Sequence, residues 1–235
     1  SSNESPFGAS PQAMAAYASK GNLLALYPDG SATELREAIA ARYGLNAGSI
    51  VCGAGSDELL QLLAHAYLAP GDEAVYSQYG FLVYPIAIAA NGAKAVVAPE
   101  VNHTTSVDAM LKCVNARTKM VFLANPNNPT GSVLSAEAMD AIISAASKVG
   151  AWVLADEVYQ GAELEGRRTP SIWGRLERAV CINGLSKAYG LPGLRVGWIA
   201  APEELIKKTP ILGPLARRIR RELNFRLFPG STDYW

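Results

Sequence analysis

A lysine stands where an apolar run ends. Lys187 follows "VCINGLS", and an ammonium at that place can bind a phosphate, pair with an acid, or act as a nucleophile with a lowered pKa. Arg195 comes eight positions later, at the start of the next apolar run, and its planar fork suits a phosphate. Asp156 closes the run "AWVLA"; a carboxylate there is costly to desolvate unless it caps a helix, pairs with a cation, or meets a cation carried by a ligand. Tyr159, three positions on, brings a hydroxyl toward the same place. After "SIVCG", the residues Gly55, Ser56 and Asp57 form a glycine turn entering a helix. That turn is either an ordinary capped start or a cradle of free N–H groups for a phosphate. Residues 125–131, "NPNNPTG", make a rigid loop in which Asn128 is an amide fixed to donate to a ligand oxygen.

These groups can cooperate only if the fold carries them to one edge. The pattern around them alternates strand and helix. "SIVCG", "EAVYS", "AKAVVA", "KMVFLA", "AWVLAD", "RAVCIN" and "RVGWIAA" read as strands. "SDELLQLLAHAYL", "FLVYPIAIAA", "SVDAMLKCVNA" and "SAEAMDAIISAASKV" read as helices between them. Ser31 to Glu34 reads as a capping box for an earlier helix closed by Gly44. Strands that are continuously apolar are covered on both faces. The expectation is an α/β fold with a mainly parallel sheet sandwiched by helices, whose ligands bind at the carboxyl ends of the strands. A dinucleotide fingerprint would need a third glycine after "SIVCG", and it is absent.

Composition excludes other classes. The 235 residues are 49% apolar, enough for a sizeable core, and carry 21 basic and 21 acidic side chains. That balance favours neither nucleic acid nor an anionic membrane. Three cysteines do not make a disulfide framework and are expected as packing residues, Cys52 and Cys181 in the core, in a reducing cytoplasm. The longest apolar stretch is broken by prolines and polar residues, so no membrane span is expected. The two histidines lack partners at metal spacing, so no metal site is expected.

A phosphate nest, a strand-end carboxylate, a tyrosine, a lysine and an arginine together are the equipment for pyridoxal 5'-phosphate. "NPNNPTG", "ADEVY", "SKAYGLPGLRVGW" and "SSNESPFG" resemble the class I/II, fold-type-I aminotransferases that use this cofactor. "YPDG", "GAGSDELL" and "YGFLVYPIA" look most like the histidinol-phosphate aminotransferases, whereas residues 134–198 look closer to general class I members. The resemblance implies that Lys187 carries the cofactor as a Schiff base and moves the substrate's proton. It implies that Asp156 pairs with the ring nitrogen, that Tyr159 and Asn128 hold the ring's oxygen, and that Phe81 stacks on the ring. Gly55, Ser56, Asp57, Ser186 and Arg195 would hold the phosphate. Tyr27 would reach the phosphate of a neighbouring subunit, since the family forms homodimers with shared sites. Substrates would be an amino acid, histidinol phosphate among the choices, and a 2-oxo acid.

There are departures from the family pattern. Ser5 stands where the histidinol-phosphate group has Asn, and Gly184 where a Ser or Thr is common. Residues 1–30 are expected as an N-terminal segment, 31–207 as the cofactor-binding large domain, and 208–235 as an unmatched basic tail with Arg217, Arg218, Arg220 and Arg221. The family's small C-terminal domain, with its carboxylate-binding arginine, is expected to be absent or truncated. A lyase of the same fold, or an inactive cofactor-binding fragment, stays open as an alternative.

Overall fold

The computed structural model describes residues 3–164, 166–175 and 178–208. The basic tail from Thr209 onward, with its four arginines, lies outside the described residues. Seven strands form one sheet among the described residues: β1 (Ile50–Gly53), β2 (Glu73–Ser77), β3 (Lys94–Ala98), β4 (Thr118–Ala124), β5 (Trp152–Asp156), β6 (Ala179–Gly184) and β7 (Gly197–Ala200). Their order is β1-β7-β6-β5-β4-β2-β3. The run from β6 to β3 is parallel throughout, as expected. β7 is the exception, antiparallel to both β6 and β1. The reason lies in its connection: residues 185–196 contain one short 3-10 turn at Pro192–Leu194. A parallel return takes about a dozen residues or more, usually with a helix, and this connection is at that limit with no α-helix in it. The chain therefore turns at the end of β6 and runs straight back.

Among the described residues seven α-helices accompany the sheet: α1 (Pro11–Ser19), α2 (Thr33–Tyr43), α3 (Ser56–Tyr67), α4 (Val83–Ala90), α5 (Val107–Cys113), α6 (Ala136–Lys148) and α7 (Glu203–Lys208). On one face Leu59, Leu60 and Leu63 of α3 and Ile88 of α4 pack with Phe122, Leu154 and Ile199 of the sheet. On the other, Met110 of α5 and Met139 and Ile142 of α6 pack with Val75, Val121 and Val153. α2 covers Ile50 and Trp198 at the β1–β7 edge. Each such side chain, moved from water to a core, contributes about 1.5–3 kcal/mol. Pro85 is tolerated in α4 because it falls in the first turn, where its missing N–H has no partner to lose.

Three expectations need correction. The helix start at Ser31 is not a capping box. The Asp29 carboxylate accepts the backbone N–H of Ser31 and of Thr33, both at 2.8 Å, and Ala32 takes a left-handed conformation ahead of Thr33. A charged acceptor in the preceding turn outcompetes a hydroxyl for those donors. Helix α1 was not foreseen although Ser10 caps it, accepting Ala13 N–H at 3.1 Å, and Pro11 opens it. It buries none of its residues, so no apolar period marks it. Cys52 is half-buried on edge strand β1, not in the core; Cys181 is buried as expected, and Cys113 is half-buried.

Candidate functional site

The reversal of β7 decides where the site lies. Gly184 at the end of β6 pairs with Gly197 at the start of β7, and Gly197 pairs with Gly53 at the end of β1. Lys187, just after β6, and Arg195, just before β7, therefore lie at the same sheet edge as the carboxyl ends of the parallel strands. Ala124 of β4 pairs with Asp156 of β5 along that edge.

Asp156 is 8% exposed. Its Oδ2 accepts the Tyr84 hydroxyl at 2.9 Å and its Oδ1 accepts the Val158 N–H at 3.3 Å. Burial pushes its pKa above the carboxylate norm, against the Tyr84 hydroxyl, the Val158 amide and the positive charge of Lys187. Among the described residues it forms no ion pair. Glu73, at the opposite ends of the strands, is the contrast: it is 3% exposed, and Lys94, Arg117 and Asn115 all reach its carboxylate. Tyr84 is fully buried, stacks on Phe122 with ring centroids 5.0 Å apart, and meets the edge of Phe81 at 5.9 Å. Burial raises its hydroxyl pKa well above the norm, so it stays a donor to Asp156. Tyr84 thus joins the site without having been foreseen as part of it. Its apolar neighbours in "FLVYPIAIAA" mark it as core, and only the fold sets its hydroxyl against an acid.

Lys187 is half-buried. Its Nζ lies 5.5 Å from the Tyr159 ring centroid and donates to the Asn3 carbonyl at 3.0 Å. The Asn3 amide in turn donates to the Tyr159 hydroxyl at 2.9 Å. Asn3 is a second residue missed as a site member, although the "SSNE" motif that contains it was singled out. The N-terminal segment reaches the lysine because Gly190, at φ +64°, has no side chain: a Cβ there would run into the Gly8 carbonyl.

The turn before α3 and Arg195 meet directly. Gly55 sits at φ +90°, and a Cβ on it would lie 2.7 Å from Arg195 Nη2. Gly197 makes a second close approach possible, since a Cβ there would lie 2.5 Å from both Gly55 C and Ser56 N. Arg195 itself has a left-handed backbone, at φ +51°, and its Nη1 donates to Pro192 O at 3.3 Å. Ser56 and Asp57 occupy the first turn of α3, where backbone N–H groups have no helical acceptor.

The loop after β4 sorts its three asparagines. Asn125 is buried and holds Leu134, whose N–H donates to its Oδ1 at 2.8 Å. Asn127 donates to Thr130 Oγ1 at 2.8 Å and to Tyr79 O at 3.3 Å. The Asn128 amide alone makes no hydrogen bond to a described residue. Ser186 is half-buried beside Lys187. The structure does not bring Tyr27 to this group: it is 92% exposed. Among the described residues no cluster of acids, histidines and cysteines could hold a metal ion, and no helix is long and apolar enough to cross a membrane.

Comparison with known proteins agrees with this geometry. The family model "Aminotransferase class I and II" matches residues 1–217. A histidinol-phosphate aminotransferase of Rhodopseudomonas palustris (strain TIE-1) is 47% identical over 215 residues, 88% of this chain and 57% of its own. One from Paramagnetospirillum magneticum is 47% identical over 209 residues, again 57% of its length. The chain thus spans a little over half of the curated relatives it matches. A Thermus thermophilus aspartate aminotransferase mutant shares the fold, with a TM-score of 0.83 at 22% identity, over 95% of this chain and 68% of its own. The Sinorhizobium meliloti histidinol-phosphate aminotransferase, solved with pyridoxal-5'-phosphate, has a TM-score of 0.79 at 25% identity, over 95% of this chain and 64% of its own. With a family model spanning nearly the whole chain and its strand-end residues gathered at one edge, the chain belongs to the class I and II aminotransferases.

Proposed function

We propose that this chain is the cofactor-binding part of a pyridoxal 5'-phosphate-dependent aminotransferase that exchanges an amino group between an amino acid and a 2-oxo acid. Histidinol phosphate is the proposed donor, after the histidinol-phosphate aminotransferases among its relatives. The observation that carries the reading is Asp156, a buried carboxylate with no ion pair among the described residues, within electrostatic reach of Lys187. A buried acid of this kind calls for a cation supplied by a ligand.

The residues present fit the cofactor. A protonated ring nitrogen satisfies Asp156, the Phe81 ring offers an apolar face, and Tyr159 and Asn128 offer donors to the ring oxygen. The bare Cα of Gly55 leaves the Arg195 guanidinium and the first N–H groups of α3 open to a phosphate, with Ser186 beside them. When bound, the cofactor supplies an electron sink for the substrate's α-carbon. The protein's own work is distinct. Lys187 Nζ is the amine for the cofactor's aldehyde and the base for the α-proton. Asp156 holds negative charge against the ring nitrogen, and Tyr84 keeps that charge in place by donating to Oδ2. Residues 1–30 are proposed as the segment that closes on the site through Asn3 and extends to a second subunit. In that homodimer the exposed Tyr27 would reach the neighbour's phosphate. A cytoplasmic location is part of the proposal, since three cysteines do not make a disulfide framework.

The test is chemical. Reduction of the cofactor-loaded protein with borohydride, followed by peptide mapping, should place the pyridoxyl label on Lys187. Lys187→Ala should take up no label and transfer no amino group from histidinol phosphate to 2-oxoglutarate. A label on any other lysine would overturn the assignment.

A further inference from the structure

A further acid stands at the carboxyl ends of the parallel strands, and transamination as derived so far gives it no part. Glu100 follows the end of β3 by two residues, where Ala98 pairs with Ser77 at the end of β2. Its Oε1 accepts the Ser77 hydroxyl and, at 3.2 Å, the Tyr79 N–H. Its own N–H donates to the Gln78 side-chain oxygen at 3.1 Å. Three consecutive residues, Ser77, Gln78 and Tyr79, are thus held by one. Buried Thr105 adds to the hold, donating its hydroxyl to Ser77 Oγ at 3.1 Å. The other oxygen, Oε2, is buried with no hydrogen-bond partner among the described residues. An acid kept with one oxygen unpaired adds little to folding by itself. Its effect lies in what Oε1 fixes.

That is a tight turn with two connections to the site. The Gly80 N–H donates to Ser77 O at 2.8 Å, and a Cβ on Gly80 would lie 2.9 Å from the same oxygen. Phe81 comes next, its ring 5.9 Å from that of Tyr84, the donor to Asp156. Tyr79 O accepts the Asn127 amide at 3.3 Å, which ties the turn to the loop carrying Asn128. From outside, the His103 ring lies 5.1 Å from the Tyr79 ring. It is brought there by the bend between Val101 and Thr104, in which Asn102 and His103 are both left-handed. One carboxylate therefore stands behind two of the residues assigned to the cofactor ring.

We infer that Glu100 is a positioning residue. Through Ser77 and Tyr79 it fixes the turn that sets Phe81 against the cofactor ring, and through Tyr79 and Asn127 it steadies the loop bearing Asn128. This role rests on the transamination reading, since the ring it serves is the cofactor's. A turn fixed in advance does not have to be ordered when the ligand arrives, and that saving appears as affinity. A mere tie between the ends of β2 and β3 would change stability alone.

Glu100→Ala and Glu100→Gln in the whole chain separate the two. Without cofactor, hydrogen exchange of the peptide spanning residues 78–81 should be about tenfold faster in Glu100→Ala, because Tyr79 N–H loses its acceptor. Glu100→Gln keeps an acceptor oxygen and should restore most of the protection. With pyridoxal phosphate, Glu100→Ala should bind about tenfold more weakly and alter the visible circular dichroism of the bound cofactor, and Glu100→Gln should restore both. Glu73→Gln, at the opposite end of β2, is the control for lost stability: it should melt earlier and leave the dichroism unchanged. If Glu100→Ala melts too early to assay, Gln78→Ala on the exposed side of the turn replaces it and should move the same signals by less. Wild-type exchange, affinity and dichroism in Glu100→Ala, no restoration by Glu100→Gln, or an equal change in Glu73→Gln would each overturn the role. Borohydride labelling tells which reading fails. A wild-type chain that takes no label at Lys187 overturns transamination and this role with it, whereas a labelled Lys187 with unaltered dichroism in Glu100→Ala overturns the role of Glu100 alone.

Discussion

Asp156 combines burial with an ionisable carboxyl, and the Tyr84 hydroxyl donates to its Oδ2. The native state holds a proton on Asp156 at pH values where the unfolded chain has released it, because burial raises its pKa. That contribution to stability is complete below the unfolded pKa and is lost as pH rises through the folded one. Asp156→Asn removes it. The cofactor-free variant should therefore lose less melting temperature than wild type as pH rises from about 4, the ordinary carboxylate value, while its turnover with cofactor falls by several orders of magnitude. Glu157, raised by burial in the same direction, keeps its own share of the pH dependence in both proteins. An identical pH profile for the two would remove Asp156 from this role. Tyr84→Phe deletes the hydroxyl that reaches Oδ2 and leaves a buried acceptor short of a donor. The expected loss is about 1–3 kcal/mol in chemical denaturation, with weaker turnover. A variant as stable as wild type would mean that the 2.9 Å bond contributes nothing.

Strand β7 does more than complete the sheet. By running antiparallel it returns Arg195 to the edge that holds Lys187, and its first residue is the glycine on which the β1–α3 turn rests. The atoms facing Gly197 are backbone, so they cannot swing away as the tip of a side chain can. Gly197→Ala should push the turn off β7 and separate Gly55 from Arg195. Overpacking of this kind costs about 1–3 kcal/mol, and the cofactor's phosphate should be held more weakly. Equilibrium dialysis of pyridoxal phosphate against the variant and wild type checks it, with retention at the wild-type level counting against a cradle built from these two elements. The αL conformation at Arg195 belongs to the same device: it aims a long side chain back across the turn where a glycine could not supply the charge.

Residues 7–27 leave an unusual set of large apolar side chains in water for a single chain. Phe7 is 94% exposed, Leu24 77%, and Leu26, Tyr17 and Met14 are also exposed. A contiguous stretch of this kind marks an interaction surface, and a second copy of the chain is the partner proposed above. Wild-type protein should sediment as a dimer, and the pair Leu24→Ser with Leu26→Ser should shift it toward monomer without a change in melting temperature of the large domain. Monomeric wild type at micromolar concentration would remove the shared-site role of Tyr27.

The alternation of apolar runs and helical periods determined the layered, mainly parallel sheet, because a strand covered on both faces has to be apolar along its length. The strand-end positions of Asp156, Lys187, Arg195 and the Gly55 turn were equally legible, since a charge or glycine interrupting such a run stands out from its surroundings. What the sequence left open depended on contacts between distant segments. Nothing in "RVGWIAA" announces an antiparallel strand; the direction goes with a connection that has no α-helix to carry the chain across the sheet. Tyr84 and Asn3 looked like core and terminus, 72 and 156 positions away from their partners Asp156 and Tyr159, and only folding made them hydrogen-bond neighbours of the site. Local patterns record how each segment meets water, whereas the groups that tune a buried acid or touch a lysine are selected by close packing across the sheet, which no single stretch of chain encodes.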